Sequence, residues 1–277
     1  MRVKLVCDYG LCNARQAHKE ELMMFSQSIT RIPPQSMAQG LTTAELGAPD
    51  HARALKQHAD YCAALAEAGL EVDTLSPLAE YPDSVFVEDP AVMLPGKNAA
   101  ILARPGAGSR TGEAEAIRPA LEKYGEVFPI EGPGTLDGGD VLLIRDRFFV
   151  GITSRTNQQG FEQFRAIVNR FGYSATPVPL RAGLHLKTDI NLVAEDTVLS
   201  SADMAARPEF ADYRVITVPG DEAYAANCLL VNETLLVPAG FPKTLALMQG
   251  LGSKIRIVDT SEYRKMDGGL TCLSLRF

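Results

Sequence analysis

The chain of 277 residues is longer than an average domain, so it folds either as one large domain or as two ordinary ones. Its 46% hydrophobic and 22% charged residues exclude a disordered chain, a collagen and a coiled coil. With 27 basic and 34 acidic side chains the net charge is −7, which disfavours a nucleic-acid or anionic-membrane surface and mildly favours a cationic ligand.

The cysteines are scattered, unlike the even and closely spaced set of a small secreted scaffold. They are Cys7, Cys12, Cys62, Cys228 and Cys272. No run of apolar residues is long enough to span a membrane, and the opening MRVKLVCDYGLCNARQ lacks the apolar core of a signal peptide. We therefore expect a soluble, cytoplasmic protein.

Helical signals recur along the chain. An Asp N-cap, an apolar stripe and a final Gly predict a helix over 50–69, and a second helix is expected to begin near Thr111. A third, over 156–172, has Thr156 at a capping-box position. Pro242 suits the first turn of a fourth helix.

Hairpin patterns alternate with these helices, each an apolar arm, a polar turn and a second apolar arm. They begin at Ala91, Asp140, Asp189 and Asn227. The C-terminal GGLTCLSLRF supplies a fifth hairpin if it pairs with SQSITRI from Ser26. A short strand follows each helix, as in EVDTLSP and IRIVDTS.

The repeated unit is therefore hairpin, helix and strand, used about five times, and it predicts one α/β domain of radially repeated units. The alternative is a doubly wound sheet, which expects single strands alternating with helices rather than hairpins.

Cys272 is a candidate nucleophile. In a strand alternation it shares a face with Ser274 and Arg276 rather than with the neighbouring leucines. The alternative is that a lone cysteine is usually a small buried hydrophobe, an interpretation that suits Cys228.

His185, in GLHLKTD, holds the position before a hairpin that Asp89 and the segment 137–140 hold in earlier units. Equivalent positions would gather these groups at one end of the array. A loop histidine that caps backbone groups is the alternative.

Carboxylates form the third element of the candidate site. They are Asp83, Glu88, Asp89, Asp137 and Asp140. Each could be a solvated turn residue, but near apolar strands they need a partner, because an unpaired buried charge is unfavourable. Cysteine, histidine and acid together are typical of nucleophilic catalysis, and the carboxylates would select a cationic electrophile such as a guanidinium.

Several ordered motifs carry a family resemblance: QGLTTAELG, PDSVFVEDP, ARPGAGSRTGE, GTLDGGD, LHLKT, YAANC and VDTSEYRKMDGGLTCLSLRF. From about Met24 to Phe277 the chain resembles the dimethylarginine dimethylaminohydrolases, guanidine-modifying members of the pentein superfamily. The resemblance implies a five-bladed αβ-propeller. It also implies hydrolysis of asymmetric dimethylarginine or monomethylarginine to citrulline and an amine, with no metal or other cofactor.

The resemblance assigns Cys272 as the nucleophile, His185 as general acid and then base, and Asp137 as the residue that orients His185. Asp89 with Glu88 would hold the guanidinium.

The remaining implied contacts hold the amino-acid end of the substrate. Asp83 and main-chain carbonyls near Leu41 and Met266 would bind the α-ammonium, and Leu41 would lie in a lid that excludes water. Arg110 and Arg155 would bind the α-carboxylate, which suits the forked guanidinium group.

Residues 1–23 depart from the resemblance. We expect them to be an extension outside a single catalytic domain over 24–277. Within the extension, Cys7 and Cys12 lack the second ligand pair that a structural metal site needs.

Three alternative functions stay open. The first is a related guanidine or ureido hydrolase, or a deiminase, acting on arginine, citrulline or an analogue. The second is a non-catalytic pentein that binds a macromolecule, and the third is a metal-dependent ureohydrolase, which would want clustered Asp and His ligands. The expected partner is a small cationic amino acid, and a homodimer is compatible with the sequence.

Overall fold

The computed structural model describes residues 25–180 and 183–277. The predicted extension over 1–23, with Cys7 and Cys12, lies outside the described residues. None of the helices in the described ranges combines the length and the apolar character needed to cross a lipid bilayer.

The strands form five sheets of three strands each. The middle strand of every sheet pairs antiparallel with one neighbour and parallel with the other. In chain order the strands are β1 Gln27–Arg31, β2 Glu71–Leu75, β3 Ala91–Leu94, β4 Ala99–Leu102, β5 Glu126–Pro129, β6 Val141–Ile144, β7 Arg147–Ile152, β8 Ser174–Pro179, β9 Ile190–Ala194, β10 Thr197–Ser200, β11 Arg214–Thr217, β12 Leu229–Val231, β13 Thr234–Pro238, β14 Lys254–Val258 and β15 Leu275–Arg276.

Five apolar clusters close these sheets into a ring. Successive side chains of a strand point to opposite faces, so each sheet can pack against one neighbour on either side. One cluster joins Ile29 of the first sheet to Met93 of the second, and three more join the second to the third, the third to the fourth and the fourth to the fifth. The last joins Leu236 to Val72 and completes the circle. The predicted five-bladed αβ-propeller is therefore confirmed.

Closure depends on the two ends of the described chain. β15 pairs antiparallel with β1, with Ile29 opposite Leu275. This is the fifth hairpin-like unit expected from the sequence, and it fixes the segment that carries Cys272 to the start of the domain.

Helices connect the middle strand of a blade to its outer strand. They are His51–Glu67, Thr111–Glu122, Gln158–Asn169 and Pro242–Met248, with two short helices at Leu186–Asp189 and Ser261–Arg264. The expectation of a helix in each unit is wrong for the fourth blade. There β10 and β11 are joined through a single 3-10 turn, Pro208–Phe210.

Two helix starts show how local side chains set these boundaries. Asp50 caps the first helix as predicted, since its carboxylate accepts a hydrogen bond from the Arg53 N–H at 2.8 Å. The third helix is capped by Asn157, which accepts from the Gly160 N–H, and not by Thr156. The Thr156 hydroxyl instead accepts from the Asp137 N–H, so this residue serves the loop that carries the candidate acid.

Tyr61 links the first helix to the C-terminal segment. Its buried hydroxyl donates to the Leu270 carbonyl at 2.8 Å and lies 2.6 Å from the Ser274 hydroxyl. These bonds flank Cys272, so the helix helps to position the loop of the candidate nucleophile.

We expect Tyr61→Phe to lower the free energy of unfolding by about 1–3 kcal/mol, because it leaves buried polar groups without a partner. Urea denaturation measures the loss. Tyr124→Phe is the control, since the Tyr124 hydroxyl makes only a long 3.4 Å contact with Asp73. Equal losses in the two variants would contradict the role given to Tyr61.

Candidate active site

The candidate residues meet at one end of the ring, in the segments that precede the innermost strands. Asp89 precedes β3, Asp137 precedes β6, His185 precedes β9 and Cys272 precedes β15. Cys272 and His185 line the same small cavity of about 30 Å³. The structure thus brings together groups that are far apart in the sequence.

The His185 imidazole lies between two buried carboxylates. Its Nε2 is 3.0 Å from Oδ2 of Asp137, and its Nδ1 is 3.9 Å from Oδ1 of Asp89. Burial alone lowers the pKa of His185, but Asp89 and the hydrogen bond to Asp137 outweigh burial and raise the pKa to about 9. The imidazole is therefore a cation at neutral pH, with a proton to donate.

The GTLDGGD motif explains how these groups approach so closely. A Cβ atom at Gly139 would lie 2.6 Å from Nδ1 of His185 and 2.8 Å from Oδ1 of Asp89, so a larger residue would displace one of them. The Gly139 N–H also donates to Asp89 at 3.1 Å. Glycine is required here for close approach, not for an unusual backbone angle.

Asp140, the last acid of this motif, holds the histidine loop in place. Its carboxylate accepts from the Leu186 N–H at 2.9 Å and from the Thr153 hydroxyl at 2.8 Å. Burial raises the pKa of Asp140 to about 6. The contacts make Asp140 a support for His185 rather than a direct ligand of a substrate.

Cys272 lies in a 3-10 turn, Thr271–Leu273, and not in the strand that the alternation predicted. Asn227 causes this local structure, because its amide oxygen accepts from the Thr271 N–H at 3.0 Å and its amide N–H donates to the Thr271 hydroxyl. The thiol is half-buried, and Sγ accepts a hydrogen bond from the Gly269 N–H at 3.4 Å.

The Cys272 thiol is neutral in this environment. Burial raises its pKa to about 12, and the negative charges of Glu88 and Asp89 add to the effect. A positive charge placed between these carboxylates and the sulfur would act in the opposite direction. The site is therefore suited to form a thiolate when a cation is bound.

The negative charge of Glu88 is balanced by two cationic side chains that the sequence analysis did not identify. Its Oε1 lies 2.6 Å from Nζ of Lys187 and 2.9 Å from the Arg276 guanidinium. Its Oε2 accepts no hydrogen bond from any residue that the structure describes, although Glu88 is only 2% exposed. One acceptor of Glu88 thus stays open at the bottom of the site.

Arg110 occupies a different place from the one that the resemblance implied. Its guanidinium pairs with Asp89, donates to both carboxylate oxygens of Glu113 at 3.0 and 2.6 Å, and is almost fully buried. Asp89 and Glu113 outweigh the effect of burial and raise the pKa of Arg110 above its usual range. These contacts favour a structural counter-ion to Asp89 over a ligand of a substrate carboxylate.

Arg155 is the better placed of the two arginines for a carboxylate. Its side chain is 18% exposed, and its guanidinium lies 3.7 Å from Oδ2 of Asp137. The Gly106 N–H binds the other oxygen of Asp137 at 2.8 Å. Arg155 therefore lies at the edge of the buried cluster, where its partly exposed guanidinium can reach a ligand.

Asp83, Leu41 and Met266 come together in the structure, as the resemblance implied. The Leu41 N–H donates to Asp83 at 3.0 Å, and a Cβ atom at Gly40 would lie 2.6 Å from both Oδ1 of Asp83 and Cε of Met266. Leu41 itself is 43% exposed. The segment from Gly40 thus packs against Asp83 and Met266 with an apolar side chain at its surface, and its role as a lid stays a prediction.

Two hydroxyl contacts fasten this lid segment to the loop before Cys272. Thr42 donates to the Lys265 carbonyl at 2.9 Å, and the Thr43 hydroxyl donates to Asp267 at 3.0 Å. The Thr43 N–H also donates to Asp267, so most of the bonds that hold this segment are made by two exposed threonines.

Asp89, Asp137 and His185 are also close enough together to resemble a metal-ligand group. Each acid already has a cationic partner, however, since Arg110 pairs with Asp89 and His185 pairs with Asp137. These contacts favour acid–base chemistry over metal binding.

Asn227 is a positioning residue that the sequence reasoning missed. Its amide donates to the Lys187 carbonyl at 2.9 Å while the same side chain holds Thr271, so it ties the His185 loop to the Cys272 loop. The only signal was its place in YAANC, where the neighbouring Cys228 drew the interpretation toward the core.

We expect Asp137→Asn to bring the pKa of His185 below about 9, because the amide cannot balance the imidazolium charge. NMR titration of the imidazole in isotope-labelled protein measures the change. Asp212→Asn, at an exposed position, should leave that pKa unaltered. An unchanged titration in Asp137→Asn would show that this carboxylate does not set the protonation of His185.

Comparison with known proteins shows the family to which this chain belongs. No protein-family profile matches the chain. The chain is 44% identical to N(G),N(G)-dimethylarginine dimethylaminohydrolase of Pseudomonas aeruginosa, over 92% of this chain and 100% of that protein. It is 38% identical to the protein of the same name from Streptomyces coelicolor, over 92% and 98% respectively.

A solved structure supports the same relation. A cysteine-to-serine mutant of the P. aeruginosa protein, complexed with citrulline, superposes with a TM-score of 0.89 at 42% identity, covering 92% of this chain and 100% of that one. Sequence identity and shape thus agree over nearly the full length of both proteins, and the chain belongs to the dimethylarginine dimethylaminohydrolase family.

Proposed function

We propose that the protein hydrolyses asymmetric dimethylarginine and monomethylarginine to citrulline, with release of dimethylamine or methylamine. The observation that carries the proposal is that Cys272, His185 and Glu88 line one cavity, while Asp137 and Asp89 lie beside the His185 imidazole. The citrulline complex of the P. aeruginosa relative supports the product.

The charges of the site give the substrate one orientation. The guanidinium lies deepest, beside Asp89 and the open oxygen of Glu88. The α-ammonium lies under the lid against Asp83, and the α-carboxylate meets Arg155 at the rim. Binding is thus directed by opposite charges at both ends of the substrate.

The first chemical step uses the positive charge of the substrate. A bound guanidinium offsets the carboxylates that add to the effect of burial on the Cys272 pKa, so the thiol gives its proton to solvent water and the thiolate attacks the guanidine carbon. A C–S bond forms, and His185 gives its proton to the departing nitrogen. The C–N bond breaks, the amine leaves with its electron pair, and a thiouronium remains on Cys272.

The second step replaces sulfur by oxygen. His185, now neutral, takes a proton from a water molecule whose oxygen forms a bond to the same carbon. The C–S bond then breaks, its electron pair returns to Cys272, the hydroxyl proton of the intermediate passes to the sulfur, and citrulline is released. No redox change and no added group are needed, because acid, base and nucleophile all belong to the chain.

A citrulline assay tests the proposal directly. We expect turnover of dimethylarginine and monomethylarginine to exceed that of arginine at equal concentration, and Cys272→Ala to abolish turnover. Mass spectrometry of acid-quenched reactions should find a substrate adduct on Cys272 in the unaltered protein only. Turnover by Cys272→Ala, or preference for arginine, would contradict the proposal.

Arg155→Ala should raise KM about ten-fold, a loss of about 1.4 kcal/mol, and change kcat much less, because the carboxylate is bound equally in ground and transition states. Steady-state kinetics with dimethylarginine measure both constants. Arg165→Ala, on the surface of the third long helix, is the control. An unchanged KM in Arg155→Ala would remove this residue from the binding site.

The proposal places the enzyme in the cytoplasm. Its support is that Cys62, Cys228 and Cys272 are all free thiols in the structure.

A further inference from the structure

A second and much larger cavity runs along the centre of the ring. Its volume is about 850 Å³, and its wall is built from the innermost strands of the five blades. At one end it is bordered by the exposed turn residues Arg145, Asp146, Glu195 and Asp196. At the other end it reaches Glu88, Lys187 and Thr271, at the floor of the candidate active site.

The wall of this axial cavity carries a ring of apolar side chains. Four of the innermost strands each contribute one partly exposed residue to it, namely Val92, Leu143, Leu192 and Leu230. These side chains lie at the edges of the apolar clusters between blades. The middle of the cavity is therefore apolar and the outer end is charged.

Only one layer of side chains separates the axial cavity from the active-site cavity. Glu88, Lys187 and Thr271 line both of them. The Lys187 ammonium lies 2.6 Å from Glu88, and Arg276 reaches the same oxygen from the axial side at 2.9 Å. Lys187 has a flexible side chain, so breaking its single ion pair with Glu88 would connect the two cavities.

The proposed reaction requires the released amine to be exchanged for water while the covalent intermediate is still bound. After the first step the amine lies at the floor of the site, while the rest of the substrate stays bound to Cys272 between the amine and the rim. Leu41 and Thr43 hold the proposed lid segment to Asp83 and to Asp267, and Asp267 lines the active-site cavity. While that segment stays in place, exchange of the amine for water on that side requires the lid to open with the intermediate still bound.

We propose that the axial cavity is the path by which the released alkylamine leaves and the hydrolytic water replaces it, through the Glu88–Lys187 wall. The inference rests on the proposed function. The amine is neutral as it departs, since the proton from His185 only completes its N–H bond. Its methyl groups suit the apolar ring, and the acids at the outer end suit the cation that it becomes in water.

Two substitutions narrow the cavity far from the reacting atoms: Leu143→Trp and Leu192→Trp. The matched control is Leu247→Trp, at a position that is 41% exposed on the helix Pro242–Met248. We expect kcat for dimethylarginine to fall about five-fold or more in both cavity variants and less than about two-fold in the control, because exchange of amine for water becomes rate-limiting.

Two further readouts separate this effect from general damage. Quenched samples of the cavity variants should contain more covalent adduct on Cys272 than the unaltered protein during steady turnover. The loss of kcat should be larger for dimethylarginine than for monomethylarginine, since the larger amine is hindered more. Leu192→Phe, a smaller addition, gives the same comparison if a Trp variant does not fold.

Unchanged kcat and unchanged adduct in the folded cavity variants would overturn the inference, and so would an equal loss for both substrates. Failure of the proposed function gives a different result, since the unaltered protein would then release no citrulline from either methylated arginine.

Discussion

The whole site depends on how the fold tolerates buried carboxylates at one end of the ring. An ionised acid in such a place needs a partner, because its desolvation is otherwise too unfavourable. Asp89 has Arg110, Asp137 has His185, and Glu88 has Lys187. The second and third pairs link segments from different blades, so the charges that create the site also hold its loops together.

The same charges give His185 and Cys272 different chemical roles. The acids keep the imidazole of His185 protonated, with a pKa of about 9, and they add to the burial that keeps the thiol of Cys272 neutral, with a pKa of about 12. At neutral pH the free site therefore contains an acid ready to donate and a nucleophile that is still inactive. A cationic substrate bound beside the carboxylates lowers the pKa of the Cys272 thiol. Binding of the guanidinium therefore also activates the thiolate that attacks it.

The sequence predicted the repeat and the grouping of the site more fully than the contacts within it. Hairpin periodicity placed His185 and Asp137 at equivalent positions, because equivalent loops of a ring meet at one end. The 3-10 turn at Cys272 escaped prediction, since it depends on a hydrogen bond from Thr271 to Asn227, 44 residues away. The buried partners of Arg110 escaped for a similar reason: the guanidinium pairs with Asp89 and Glu113 at once, and only the packing of the fold brings these acids to it.

The protonation state of Cys272 in the free protein tests the account most directly. Ultraviolet titration of the thiolate, with Cys272→Ala as the blank, should show no ionisation of this thiol up to about pH 9, given its raised pKa, and measurable thiolate when a methylated arginine is added. A thiol that ionises near its ordinary pKa without any cation present would contradict it.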